Sequence, residues 1–134
     1  MVWSGTGWEG LRYRLDHMTN FIPFATVQRY LSAGKNGRVN SGIVVTNLIG
    51  NLAAFAPFAL FLPLLFPAMK RFWRFALVTC LAILLVECGQ LVLGVGFLDV
   101  DDLILNLSGA CLCYALLHLP PVRRAVRRVT LLPY

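Results

Sequence analysis

Between Ile43 and Phe66 the chain carries twenty-four consecutive residues without a charge, IVVTNLIGNLAAFAPFALFLPLLF. As an α-helix this run is about 36 Å long, more than the roughly 30 Å of hydrocarbon in a bilayer. Such a segment constrains the whole polypeptide, because the bilayer core tolerates only backbone that satisfies its own hydrogen bonds. The composition agrees. Apolar residues make up 58% and charged residues 13% of the 134, against about 45–50% and about 25% in soluble proteins.

Two further runs are long enough to cross. Phe75 to Val95 contains a single carboxylate, Glu87, and Leu103 to Leu119 lies between an acidic loop and Pro120. The fold class expected is therefore an all-α membrane protein, one domain over 1–134, with three transmembrane helices at about 43–66, 75–95 and 103–119. Pro57 and Pro63 each remove an internal hydrogen bond from the first span, and a kink is expected near Pro57. Ahead of the spans, Phe21, Phe24, Val27, Gln28 and Leu31 recur at three-to-four-residue spacing. They predict a short interfacial helix over about 18–31, with Pro23 in its first turn. Ser32 to Gly42 reads as a polar, glycine-rich loop. The first 40 residues hold no apolar run behind a basic start of the kind a cleavable signal peptide needs.

Charge sets the orientation. Lys70, Arg71 and Arg74 link the first two spans, and Arg123, Arg124, Arg127 and Arg128 follow the third, so seven of the twelve basic residues fall at one end. Excess positive charge marks the cytoplasmic side. The C-terminus is thus expected in the cytoplasm, with the acidic loop outside, and the basic tail suits the surface of an anionic leaflet. The net charge of +6 has no soluble basic scaffold or recognition motif behind it, which excludes nucleic acid as a partner. Cys80, Cys88, Cys111 and Cys113 all sit in apolar surroundings and read as small packing residues. Gly109 and Cys113 are spaced for close helix packing. His17 and His118 read as interfacial side chains.

The chemistry must reside in the few polar residues of the spans, because such groups are costly in hydrocarbon and face the bundle interior. Asn47 and Asn51 share a helix face, as do Glu87 and Gln90 on the second span and Asp102 and Asn106 on the third, with Asp99 just ahead. Counted from the outer ends, Asn51 and Glu87 lie roughly 12 Å deep, and Asn47, Gln90 and Asn106 roughly 5 to 8 Å. The expectation is one outward-facing polar pocket of Asn47, Asn51, Glu87, Gln90, Asp99, Asp102 and Asn106. The amides could equally be interhelical glue, and one or two of Asp99, Asp101 and Asp102 could cap the third span. Glu87 fits the structural reading least well.

These residues resemble the VanZ-like family. The resemblance is carried by NFIPF (Asn20 to Phe24), NLIGNLAAFAP (Asn47 to Pro57), Glu87 with Gln90, and DVDDLILNLSG (Asp99 to Gly109). It spans about Asn20 to Leu119, although Ala59 and Cys113 stand where the family commonly has glycine. It implies a multi-pass protein of the bacterial plasma membrane, in a family named for a protein linked to resistance to the glycopeptide teicoplanin. The expected partners are membrane lipid and a glycopeptide or lipid-linked cell-wall precursor; homo- or hetero-oligomers are also open. No cofactor is expected and no metal site is assigned. Binding without catalysis is the leading reading. The alternatives are an intramembrane enzyme holding a divalent cation on Asp99, Asp101 and Asp102 with Glu87 as general base, and a subunit of a larger membrane complex.

Overall fold

The computed structural model describes residues 7–35 and 41–130. Three helical stretches are long and apolar enough to cross a membrane: Val45–Leu65, Phe72–Leu93 and Val100–His118. Only 11%, 22% and 28% of their most apolar windows are buried within the protein. Leu77, Leu81, Leu85, Val92, Leu112 and Leu116 all point outward. Surfaces this apolar need hydrocarbon as their solvent.

The first span is broken as its prolines require. Helix α3, Ser41–Ala54, ends at Phe55, and α4, Ala56–Leu65, resumes at once with Pro57 in its first turn. Proline has no N–H to give and its ring clashes with the carbonyl four residues back. The Phe58 N–H instead reaches the Phe55 carbonyl at 3.1 Å. A 3-10 turn, Pro67–Lys70, leads into α5, Phe72–Leu93. Gly94 ends α5 in the left-handed conformation (φ 69°), with Val95 N–H on the Gln90 carbonyl and Gly94 N–H on that of Leu91. This pairing is a Schellman cap, and it stops the second span two residues before the expected Val95. Helix α6, Val100–His118, starts three residues earlier than expected because Asp99 caps it, and α7, Pro120–Thr130, follows.

α6 is the hub, packing against α3, α4 and α5. Its inward stripe of Asn106, Gly109, Ala110 and Tyr114 meets an α5 stripe in which Phe75, Thr79, Ile83, Glu87 and Leu91 recur every four residues. Phe75 stacks on Tyr114 with ring centroids 4.5 Å apart, and Ala59 of α4 and Ala110 close the same core. Gly109 is what lets α3 approach. A Cβ built there would lie 1.7 Å from the Leu52 carbonyl oxygen.

The N-terminal segment departs from the expectation. Trp8–His17 forms a helix, α1, that packs on α5. The interfacial helix expected over 18–31 starts only at Ala25 and runs to Lys35 as α2. Residues ahead of it are extended: Thr19–Asn20 (β1) pairs in parallel with Leu98–Asp99 (β2). Phe21 and Phe24 consequently lie outside the helix, and Pro23 sits in the turn before it rather than in its first turn. Residues 32–35 of the expected loop continue α2, and 36–40 lie outside the described residues, as do 131–134 of the tail.

Asp101 explains the displaced helix start. Its carboxylate is 1% exposed and accepts the backbone N–H groups of Phe24, of Thr26 at 2.8 Å and of Val27 at 3.1 Å. A helix leaves its first N–H groups unpaired, and those of α2 find their acceptor 75 residues away. Phe24, at φ 65°, is the described non-glycine residue in the left-handed region; the turn it makes presents its N–H to Asp101.

Two outcomes are expected. Asp101→Ala strands those three donors, at roughly 1–3 kcal/mol for a buried group left unpaired. Amide hydrogen exchange over residues 19–27 should then accelerate roughly 5- to 150-fold while α5 and α6 keep their protection. Unchanged exchange would refute the role given to Asp101. Gly109→Ala should lower the melting temperature of the detergent-purified protein through an overpacking cost of about 1–3 kcal/mol, whereas Ser108→Ala, on the exposed face beside it, should not.

Candidate functional site

The polar site is built on the N-terminus of α6. Asp99 is its N-cap, with its Oδ1 accepting the Asp101 N–H at 2.9 Å. The same carboxylate accepts Asn20 Nδ2 at 3.0 Å and the Thr26 hydroxyl at 2.6 Å. Asp99 and Asp101 together therefore tie β1 and the start of α2 to the bundle. Both are buried, and their oxygens are taken up by protein donors. Neither is arranged to share a cation, and among the described residues no group of three or more His, Cys, Asp or Glu could hold a metal ion.

Asp102 belongs to a different network. Asn51 Nδ2 donates to its Oδ1, joining α3 to α6. Asn106 Nδ2 donates to the Asp102 main-chain oxygen at 2.7 Å, one turn back, while Asn106 Oδ1 is buried without a partner. Glu87 comes in from α5, 6% exposed. Its carboxylate faces the Asp99 backbone N–H and lies within electrostatic reach of Asp102 and Asp99. Its Oε2 has no hydrogen-bond partner. Buried polar atoms are nearly always paired, so two orphaned acceptors at one end of the bundle mark it as unusual.

Beside these groups lies a cavity of about 540 Å³. Five of the seven residues singled out from sequence line it: Asn47, Asn51, Gln90, Asp99 and Asp102. Glu87 and Asn106 do not. They stand behind the lining, on the inward stripes of α5 and α6. Gln90 is held against the turn after α5, where a Cβ on Gly96 would come within 3.1 Å of it.

Other parts of the wall escaped the sequence reading. His17, Thr19, Asn20, Thr26 and Arg29 also line the cavity. His17, which reads from sequence as an interfacial side chain, belongs to the cavity wall: it ends α1, with its ring stacked on Tyr13 and its Nδ1 3.0 Å from the Tyr13 carbonyl. The β1–β2 pairing brings it to the cavity, and no local pattern announces a two-residue parallel pair. Arg29 is one of two cations in α2, but nothing in the sequence says which way α2 turns. Asn20 did carry a signal, through the NFIPF segment.

Among the described residues the wall thus combines carboxylates, primary amides and hydroxyls with one guanidinium and one imidazole. These groups can hydrogen-bond a polar headgroup from several directions, and the apolar flanks of the bundle adjoin them. No curated protein and no solved structure matches the chain. A family model, VanZ/LLP1, matches residues 3–120. That match spans α1 to the start of α7, including every wall of the cavity, and the chain belongs to the VanZ/LLP1 family.

Proposed function

We propose that this protein is a binding component of the bacterial envelope, whose cavity takes the polar headgroup of a membrane-anchored molecule from the outer face of the plasma membrane. The single observation that supports this most is the 540 Å³ cavity set where an amide- and carboxylate-lined wall meets lipid-facing helices. A ligand with a polar head and an apolar tail matches both surfaces at once. Lipid headgroups, a lipid-linked cell-wall precursor and the lipid-bearing glycopeptide teicoplanin all have that form. The outward direction rests on the charge count, since the opposite end carries seven of the twelve basic residues and positive charge is retained in the cytoplasm.

The metal-assisted alternative gains no support from the geometry. Asp99 and Asp101, two of the three aspartates that it requires, are engaged in holding the N-terminal segment.

Asn51→Ala and Gln90→Ala, both in the lining, should each weaken retention of the co-purifying lipid or precursor, seen by native mass spectrometry. The expected loss is roughly 5- to 150-fold, the consequence of about 1–3 kcal/mol for each polar partner removed. In cells that depend on the protein for teicoplanin protection, the same variants should lose it while still accumulating in the membrane. Full retention and protection from well-expressed variants would refute the proposal.

A further inference from the structure

An apolar groove takes up where the polar cavity ends. Leu48 of α3 and Leu105 of α6 are among the cavity's apolar lining residues. One helical turn further along each helix come Leu52 and Gly109, and these line a separate groove of about 200 Å³ on the flank of the bundle. Ile49 and Ala53 join it from α3, Leu112 and Leu116 from α6, and no described residue of its lining bears a charge or an amide. Cavity and groove thus follow one seam between α3 and α6.

The continuity is plainest on α6. Asp102, Leu105, Gly109, Leu112 and Leu116 recur in alternating steps of three and four residues, the spacing of a single helix face. The first two line the cavity and the last three line the groove. From Leu105 to Leu116 this stripe runs about 16 Å along the helix axis, close to half of the roughly 30 Å of hydrocarbon in a bilayer. It therefore descends through one leaflet from the polar end of the bundle. Ile49, Leu112 and Leu116 are large and exposed on its two sides. Gly109 is already used within the chain, since a Cβ there would lie 1.7 Å from the Leu52 carbonyl oxygen. The close backbone approach that a glycine offers to a second helix is therefore taken by α3.

We propose that this groove is an acyl-chain subsite, seating one fatty tail of an outer-leaflet molecule whose head lies in the cavity. The inference rests on the function proposed above and adds to it a place for the tail. A chain already in lipid gains no hydrophobic free energy by entering the groove. What holds it is packing along the stripe, small for each atom pair and larger in sum, together with the tether to a bound head.

The test uses the full chain in nanodiscs of phosphatidylcholine containing a phosphatidylethanolamine with a diazirine midway along one acyl chain. The ammonium of this probe supplies donors to the acceptors of the cavity wall. After irradiation, the captured residues are mapped by mass spectrometry. Capture at 49–53 and 109–116 should exceed that at Leu77, Leu81 and Leu85, exposed on α5, on the order of fivefold. Ala53→Phe, which fills the groove, and Leu112→Gln, which puts an amide into it, should each erase the excess. Ala54→Phe adds the same bulk at an exposed neighbour outside the described lining and should leave the excess unchanged. Even capture over α3, α5 and α6, or an excess that survives both Ala53→Phe and Leu112→Gln, would overturn the proposal. A wild-type dimer that Ala53→Phe disperses would give the groove to a second copy and overturn it too. Gln90→Ala, in the cavity wall but on α5, separates the two readings. Loss of the excess in this variant supports a tail tied to a head in the cavity, whereas an unchanged excess would overturn the headgroup reading and leave the acyl subsite standing.

Discussion

Hydrocarbon is the solvent on which everything else in this molecule depends. The spans bury so little of themselves against one another that water could not support the fold, and lipid cannot hydrogen-bond a backbone. This second condition governs the interior. Polar side chains within the spans must meet each other or open to an aqueous end, and here they gather near the N-terminus of α6. The middle of the bundle is left to Ala59, Phe75, Ile83, Ala110 and Tyr114, with the buried hydroxyl of Thr79 among them.

Three aspartates within four residues do three different jobs. Asp99 caps α6 and grips Asn20 and Thr26; Asp101 caps α2 from a distance; Asp102 joins α3 through Asn51. The segment before the first span is thereby turned into a wall of the cavity. Without the first two acids the cavity would have the transmembrane helices on one side only. Asp99 and Asp101 have their oxygens engaged in building the wall, while behind it Glu87 and Asn106 retain unpaired ones.

The transmembrane part was legible because its physics is local. Uncharged length gave three spans, Pro57 marked the break at Phe55, and the polar pairs on each span could be placed at one depth by rise per residue alone. What was not legible depends on distant partners. The start of α2 is set by Asp101, seventy-five residues beyond Thr26, and amphipathic spacing over 18–31 imitated a longer helix. β1 and β2 contribute two residues each, too few for any alternating pattern. Since His17 and Arg29 reach the cavity only through these contacts, the part of the wall that they form was invisible to local reasoning. The Gly109–Cys113 spacing was read as close packing, and Gly109 is indeed where the Leu52 backbone approaches.

The central claim is a polar cavity opening to the outside of the cell at one end of a lipid-embedded bundle. Cysteine accessibility tests it most directly: in a background freed of its four cysteines, Asn47→Cys and Arg124→Cys are introduced separately. Intact cells are then treated with a membrane-impermeant maleimide. The account predicts labelling at position 47 in intact cells, and at position 124 only after permeabilisation. Labelling at 124 with protection at 47 would contradict it.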